Sequence, residues 1–149
     1  MKSLFNSETY LEINRRLETI SKNSNRKWGK MQVAQMLHHC QKPLSIALEK
    51  EQIEKPPFYM RVLAKFIKSS MYNDKAWKQN LPTAKELKIT SPKNFDVEKE
   101  NLFRLIKEFH VKNSQEQWTP HPIFGSFTKD QWGKMQYKHL DHHFRQFGI

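Results

Sequence analysis

A chain of 149 residues with a net charge of +11, seven histidines and one cysteine is long enough for one domain with a sizeable core. The lone cysteine excludes an internal disulfide, and four glycines without an Asn-Gly or Asp-Gly hairpin signal speak against an all-β fold. The amino-terminal MKSLFNSETY meets charge before any long apolar run, and no later stretch approaches a membrane span. The expectation is a single domain over 1–149, cytoplasmic, with no signal peptide. The charge invites nucleic acid, an acidic surface or a small anion without choosing among them.

Tyr10, Ile13, Leu17 and Ile20 recur at helical spacing and predict an amphipathic helix over 7–22, capped by Asn6 or Ser7. A polar loop over 23–30 leads to a second helix over about 31–50, which turns Val33, Met36, Leu37, Cys40, Leu44 and Leu48 to the core. Pro43 deprives the His39 carbonyl of its helical donor and predicts a kink or break there. Pro56-Pro57 ends that unit. Phe58 to Lys68 reads as a short amphipathic helix, with Val62, Leu63, Phe66 and Ile67 against Arg61, Lys65 and Lys68.

Residues 69–94 have weak periodicity and predict a long irregular connection, of a kind that is usually functional. Asp96 is placed to cap a third main helix running to about 112, with Leu102, Leu105, Ile106 and Phe109 inward. Thr128 and Gln131 form a capping-box signature for a last helix that runs nearly to Ile149. Four main helices and an extra crossover element predict an all-α fold, a four-helix bundle.

The pentapeptide WGKMQ stands at 28–32 and again at 132–136, each copy the same distance ahead of a histidine pair. The two copies are expected to start the helices that carry those pairs, with Trp28 and Trp132 packing at equivalent places. On the last helix His139 and His143 lie one turn apart, about 40° from each other, and share a face with Trp132, Gln136, Leu140 and Phe147. Lys134, Lys138, Asp141 and Arg145 fall opposite, and His142 lies on the flank. The wheel of the second helix turns His39 inward and His38 outward. Two imidazoles at i, i+4 and a third from a neighbouring helix make three ligands, with positions left open for substrate. All-imidazole ligation suits zinc, nickel, iron or copper.

A histidine pair at this spacing also arises by chance, and inward rings can be satisfied by carbonyls, glutamine or water. No HExxH is present, so a zincin-type protease is excluded. Cys40 reads as a core residue, His121 between two prolines as a loop-shaping one, and His110 as favoured by a helix carboxyl end. Gln136 and Gln146 stand near the histidine face as candidate donors to the ligands.

MLHHC at 36–40, HPIFGSFT at 121–128 and HLDHHFRQFG at 139–148 resemble the DinB/YfiT-like superfamily, within a subfamily known only as a domain of unknown function. The resemblance is strongest over 28–48 and 118–149. It implies an up-down-down-up four-helix bundle with metal ligands at His39, His139 and His143, the residues the wheels select. The metal expected is a divalent transition ion, zinc, nickel or iron. Superfamily members of known activity include metal-dependent enzymes that act with low-molecular-weight thiols, such as thiol S-transferases and a maleylpyruvate isomerase, while others carry the scaffold with no established reaction. The expectation is therefore a metal-dependent transferase or hydrolase on a small, anionic molecule such as a thiol, with catalytic residues unassigned. Nucleic acid and membrane are not expected as partners, and a homodimer is admitted. The alternative is a non-catalytic module whose basic surface binds an anionic partner. Between Phe58 and Lys93 eight Lys or Arg face only Asp74 and Glu86, and this basic stretch is expected to wall the open side of the metal.

Overall fold

A computed structural model describes residues 1–149, the side chain of Glu86 excepted. The chain is all-helical: α1 (Ser7–Thr19), α2 (Val33–Ala47), α3 (Phe58–Ile67), α4 (Phe95–Val111) and α5 (Lys129–Gln146), with three short 3-10 turns. No strand occurs among the described residues, and no helix there is long and apolar enough to cross a membrane. Helix α2 packs on α4 and α5, and α1 on the same two, so these four share one core. Ile13 and Leu17, Met36, Leu37 and Leu44, Leu102, Ile106 and Phe109, and Trp132, Leu140 and Phe144 fill it. Burial of these side chains, not any polar contact, is the main force holding the helices together.

The helix starts follow local chemistry. The Asn6 carboxamide oxygen accepts from the backbone of Glu8 and Thr9 at 3.0 and 3.2 Å. Thr128 and Gln131 cap each other reciprocally, as the capping-box signature predicts. Helix α4 is capped by Asn94 rather than Asp96, and the Asp96 carboxylate instead sits in the first turn, where the helix dipole favours it. Helix α2 runs through Pro43 without the expected break. The Pro43 carbonyl is taken by the buried Gln136 side chain of α5 at 2.9 Å, so that turn is tied to the neighbouring helix.

Two sequence expectations need correction. The twin pentapeptides do not both start helices: the first lies in the loop before α2, and the second lies within α5. Trp132 is fully buried while Trp28 is only half-buried, so the two tryptophans are not equivalent. The glycines serve different close approaches. Leu4 N donates to the Gly133 carbonyl at 3.0 Å, and a Cβ on Gly133 would meet Ser3 Oγ at 2.2 Å and Phe5 Cδ2 at 2.6 Å.

Helix α3 forms where expected, but its apolar face does not reach the core. Ala64 is its only buried residue, and Phe58 and Phe66 are each 78 % exposed. The helix is flanked by Pro57 and an irregular connection, and the 3-10 turn that follows it packs on α5.

Replacing Gly133 by Ala should destabilise the protein by about 1–3 kcal/mol, the usual cost of overpacking, because the amino-terminal segment must move off α5. Gly125→Ala, at φ +72° with nothing within 4 Å of the added Cβ, should cost about 1 kcal/mol from backbone conformation alone. Urea denaturation of the two variants reads the difference, and equal losses would refute the packing role of Gly133.

Candidate metal centre

The face of α5 that carries Trp132 and Gln136 continues one turn later into His139 and His143, and α2 brings His39 across to meet them. All three rings are buried, and one ring nitrogen from each lies within 4.8 Å of the others. His39 Nε2 and His139 Nε2 stand 3.1 Å apart. Nitrogens sharing a tetrahedral zinc stand about 3.3 Å apart, so this pair is already at ligand spacing. His38 and His142 lie outside the group.

The outer nitrogens decide which atoms face inward. His39 Nδ1 donates to the Leu87 carbonyl at 2.8 Å, which leaves its Nε2 lone pair toward the other rings. His143 Nδ1 donates to Gln146 Oε1 at 2.9 Å in the same way. His139 Nδ1 is buried with no hydrogen-bond partner among the described residues. Burial lowers the pKa of all three rings, with the neighbouring imidazoles adding to the effect on His139 and His143. His143 falls to about 3. The rings are therefore neutral at neutral pH, the state in which imidazole is a ligand.

This donor set fits a divalent transition ion: three neutral nitrogens converge, two of them oriented from behind, and no carboxylate joins the group among the described residues. Three neutral ligands leave the ion's charge uncompensated, which suits Lewis-acid chemistry. Gln146 is itself placed by the first pentapeptide, since its Nε2 donates to the Trp28 carbonyl at 2.9 Å. A Cβ on Gly29, which sits at φ +80°, would meet that Nε2 at 2.3 Å. Gln136 makes no hydrogen bond to the histidines among the described residues; its amide nitrogen is spent on Pro43.

The long connection reaches the site through its middle and end. Besides Leu87, it sends Trp77 against His139, with ring centroids 6.0 Å apart, and against His142 at 5.6 Å. Lys138, expected among the solvated residues of α5, is instead buried. Its ammonium group donates to the Ser70 and Asn73 carbonyls and to Asn73 Oδ1 at 2.7–2.9 Å, pinning the connection to the helix. Lys68, by contrast, binds the Ser126 carbonyl and lies over Phe127, at the far end of α5. The basic stretch as a whole is not the wall of the site; only residues of about 70–87 are.

The remaining histidines have structural partners. His38 Nδ1 meets the buried Glu98 carboxylate of α4 at 2.9 Å, which also accepts from Gln41 at 2.7 Å. His110 bonds the Leu4 carbonyl and stacks on Tyr10. His121 Nδ1 accepts from the backbone of Ile123 at 3.1 Å, shaping the loop that its pairing with Gly125 closes. Burial lowers its pKa to about 4. Cys40 is core, its thiol pushed up by burial.

Two measurements follow. Gln146→Leu and Gly29→Ala should each weaken zinc binding by about 10–100-fold, because both free the His143 ring; competition against a chelating dye checks this, and unchanged affinity would refute the support role of Gln146. Acid should destabilise the fold. His121 and His143 take protons in the unfolded chain below about pH 6.5 but not in the folded one until about 4 and 3. The stability they contribute is complete above pH 6.5 and is lost as pH falls, by up to about 1.4 kcal/mol per pH unit for each ring. Urea midpoints that stay flat from pH 7 to 4.5 would contradict this.

No curated protein and no solved structure matches the chain. One family does, over residues 5–148, a span that includes all five helices and all three converging histidines. The chain belongs to the family of proteins of unknown function DUF1569.

Proposed function

We propose that this protein is a small metal-dependent enzyme on a four-helix bundle of the DinB/YfiT-like type, with one divalent transition ion (zinc, nickel or iron) held by His39, His139 and His143. The reading is carried by one observation, the convergence of three buried imidazoles whose ring nitrogens lie within 4.8 Å of one another, one pair of them already at ligand spacing. When bound, such an ion would supply Lewis acidity that lowers the pKa of a thiol or a water brought to it. The chain's own part is orientation and exclusion of solvent. Leu87 and Gln146 fix two of the ligand rings, and Trp77 covers a third. The reaction class is transfer to a low-molecular-weight thiol, or hydrolysis, on a small anionic substrate. The sequence resemblance and the positive charge support that choice.

A second reading has an observation of its own. The outward apolar face of α3, bordered by Arg61, Lys65 and Lys68, supports a non-catalytic module for an anionic partner. Salt-dependent binding of DNA or acidic vesicles, undiminished in a metal-free variant, would favour it.

His143→Ala decides the first reading. Protein reconstituted with zinc and desalted should carry about one ion per chain, and the variant almost none, with helical circular dichroism preserved because the core rests on apolar burial. Undiminished metal content in the variant would overturn the assignment.

A further inference from the structure

A cleft of about 640 Å³ opens beside the three histidines and is lined by none of them. Its walls are Trp28, Trp77 and His142, and its rim carries Lys27, Lys78 and Arg145. Both indole rings meet His142 edge-on, at 5.9 and 5.6 Å between centroids. The same walls touch the metal centre from outside, Trp77 through His139 and His142 through His143, the latter pair 5.0 Å apart. A molecule in the cleft would therefore lie one side chain from the converging nitrogens.

The rim is rich in cations. No Asp or Glu side chain lines the cleft, and the main-chain oxygen of Ile149, a residue that does line it, accepts from Arg16 at 2.9 Å. Lys27 and Lys78 have no ion pair among the described residues. Arg145 has only a long contact of 3.7 Å to Asp141, whose other oxygen is held at 2.8 Å by Arg16. Lys27 is also held in place. Its backbone donates to the Gln146 carbonyl at 2.7 Å, and its side chain lies over Gly148, where an added Cβ would come within 2.6 Å. Three exposed like charges around aromatic walls give the cleft a positive potential that favours an anionic ligand.

We propose that this cleft is the binding site for an aromatic carboxylate: a flat apolar body against Trp28 and Trp77, with its acidic group toward Arg145, Lys27 and Lys78. The volume suits one small molecule. Indole walls favour a planar ring by offset or edge contact, and an arginine at the rim favours a carboxylate by paired N–H donation. The inference names the substrate class for the metal centre and rests on that reading for its catalytic meaning, but the binding itself does not need the ion.

Isothermal titration with 2-naphthoate, 2-naphthamide and hexanoate, on zinc-loaded and metal-free protein, tests it. Naphthoate should bind one per chain in both forms, with the neutral amide and the aliphatic acid each weaker by about tenfold or more, as loss of one charge-assisted or stacking contact implies. Arg145→Gln and Trp77→Leu should each weaken naphthoate similarly. The first replaces a largely exposed side chain, so the fold is not at risk. His143→Ala should leave naphthoate binding in place. Equal binding of acid and amide overturns the proposal, and so does the absence of naphthoate binding in both forms. Binding that requires zinc and ignores Arg145→Gln also overturns it, since the carboxylate would then sit on the histidine centre. If no zinc binds but naphthoate still does, the metal reading fails and the cleft stands.

Discussion

Three imidazoles packed nose to nose inside an apolar core are the constraint from which the rest of this molecule follows. Buried rings this close cannot all carry protons, and their lone pairs cannot all be satisfied by one another. The helices could have avoided the conflict by filling these positions with leucine. Instead the chain spends a carbonyl from Leu87, a carboxamide from Gln146 and the close approach that Gly29 allows to hold the rings as they are. His139 Nδ1 is left with no hydrogen-bond partner among the described residues. Polar groups kept in a core at such cost indicate a use for the converging lone pairs.

Much of this was legible in the sequence because it depends on helix periodicity. The inward choice of His39 over His38, and of His143 over His142, needed only 3.6 residues per turn and the position of the apolar stripe. The buried sets on α1, α2 and α4 were readable for the same reason. What could not be read lies where one element answers another across space. That the Leu87 carbonyl holds His39 depends on how a nearly aperiodic connection folds back, and no spacing encodes it. The burial of Lys138 came about because Asn73 and Ser70 dock over it, against the polarity of its own helix face. Asn94 displaced Asp96 as the cap because both residue types suit the role and only the backbone register decides. Helix α2 continues through Pro43 although proline cannot supply the donor to the His39 carbonyl, and no spacing within the helix foretells that.

The repeated pentapeptide shows how little a repeated string fixes by itself. In α5 its tryptophan is buried in the core and its glycine admits the amino-terminal segment. In the loop before α2 the tryptophan borders a cleft and the glycine makes room for the residue that steadies His143. Identical residues, set in helix and in loop, serve packing in one copy and ligand geometry in the other.

The fastening of the connection over 70–87 has a thermodynamic side. It touches the site at Leu87 on His39, at Trp77 on His139 and at Lys138 next to that histidine in sequence. If the three histidines hold an ion as proposed, any free energy by which an ordered connection strengthens that hold is returned in equal measure, so that occupancy of the centre would order the connection. The stretch between α3 and α4 is then a readout of the core as well as its cover, transmitting to the surface whether the three nitrogens are engaged.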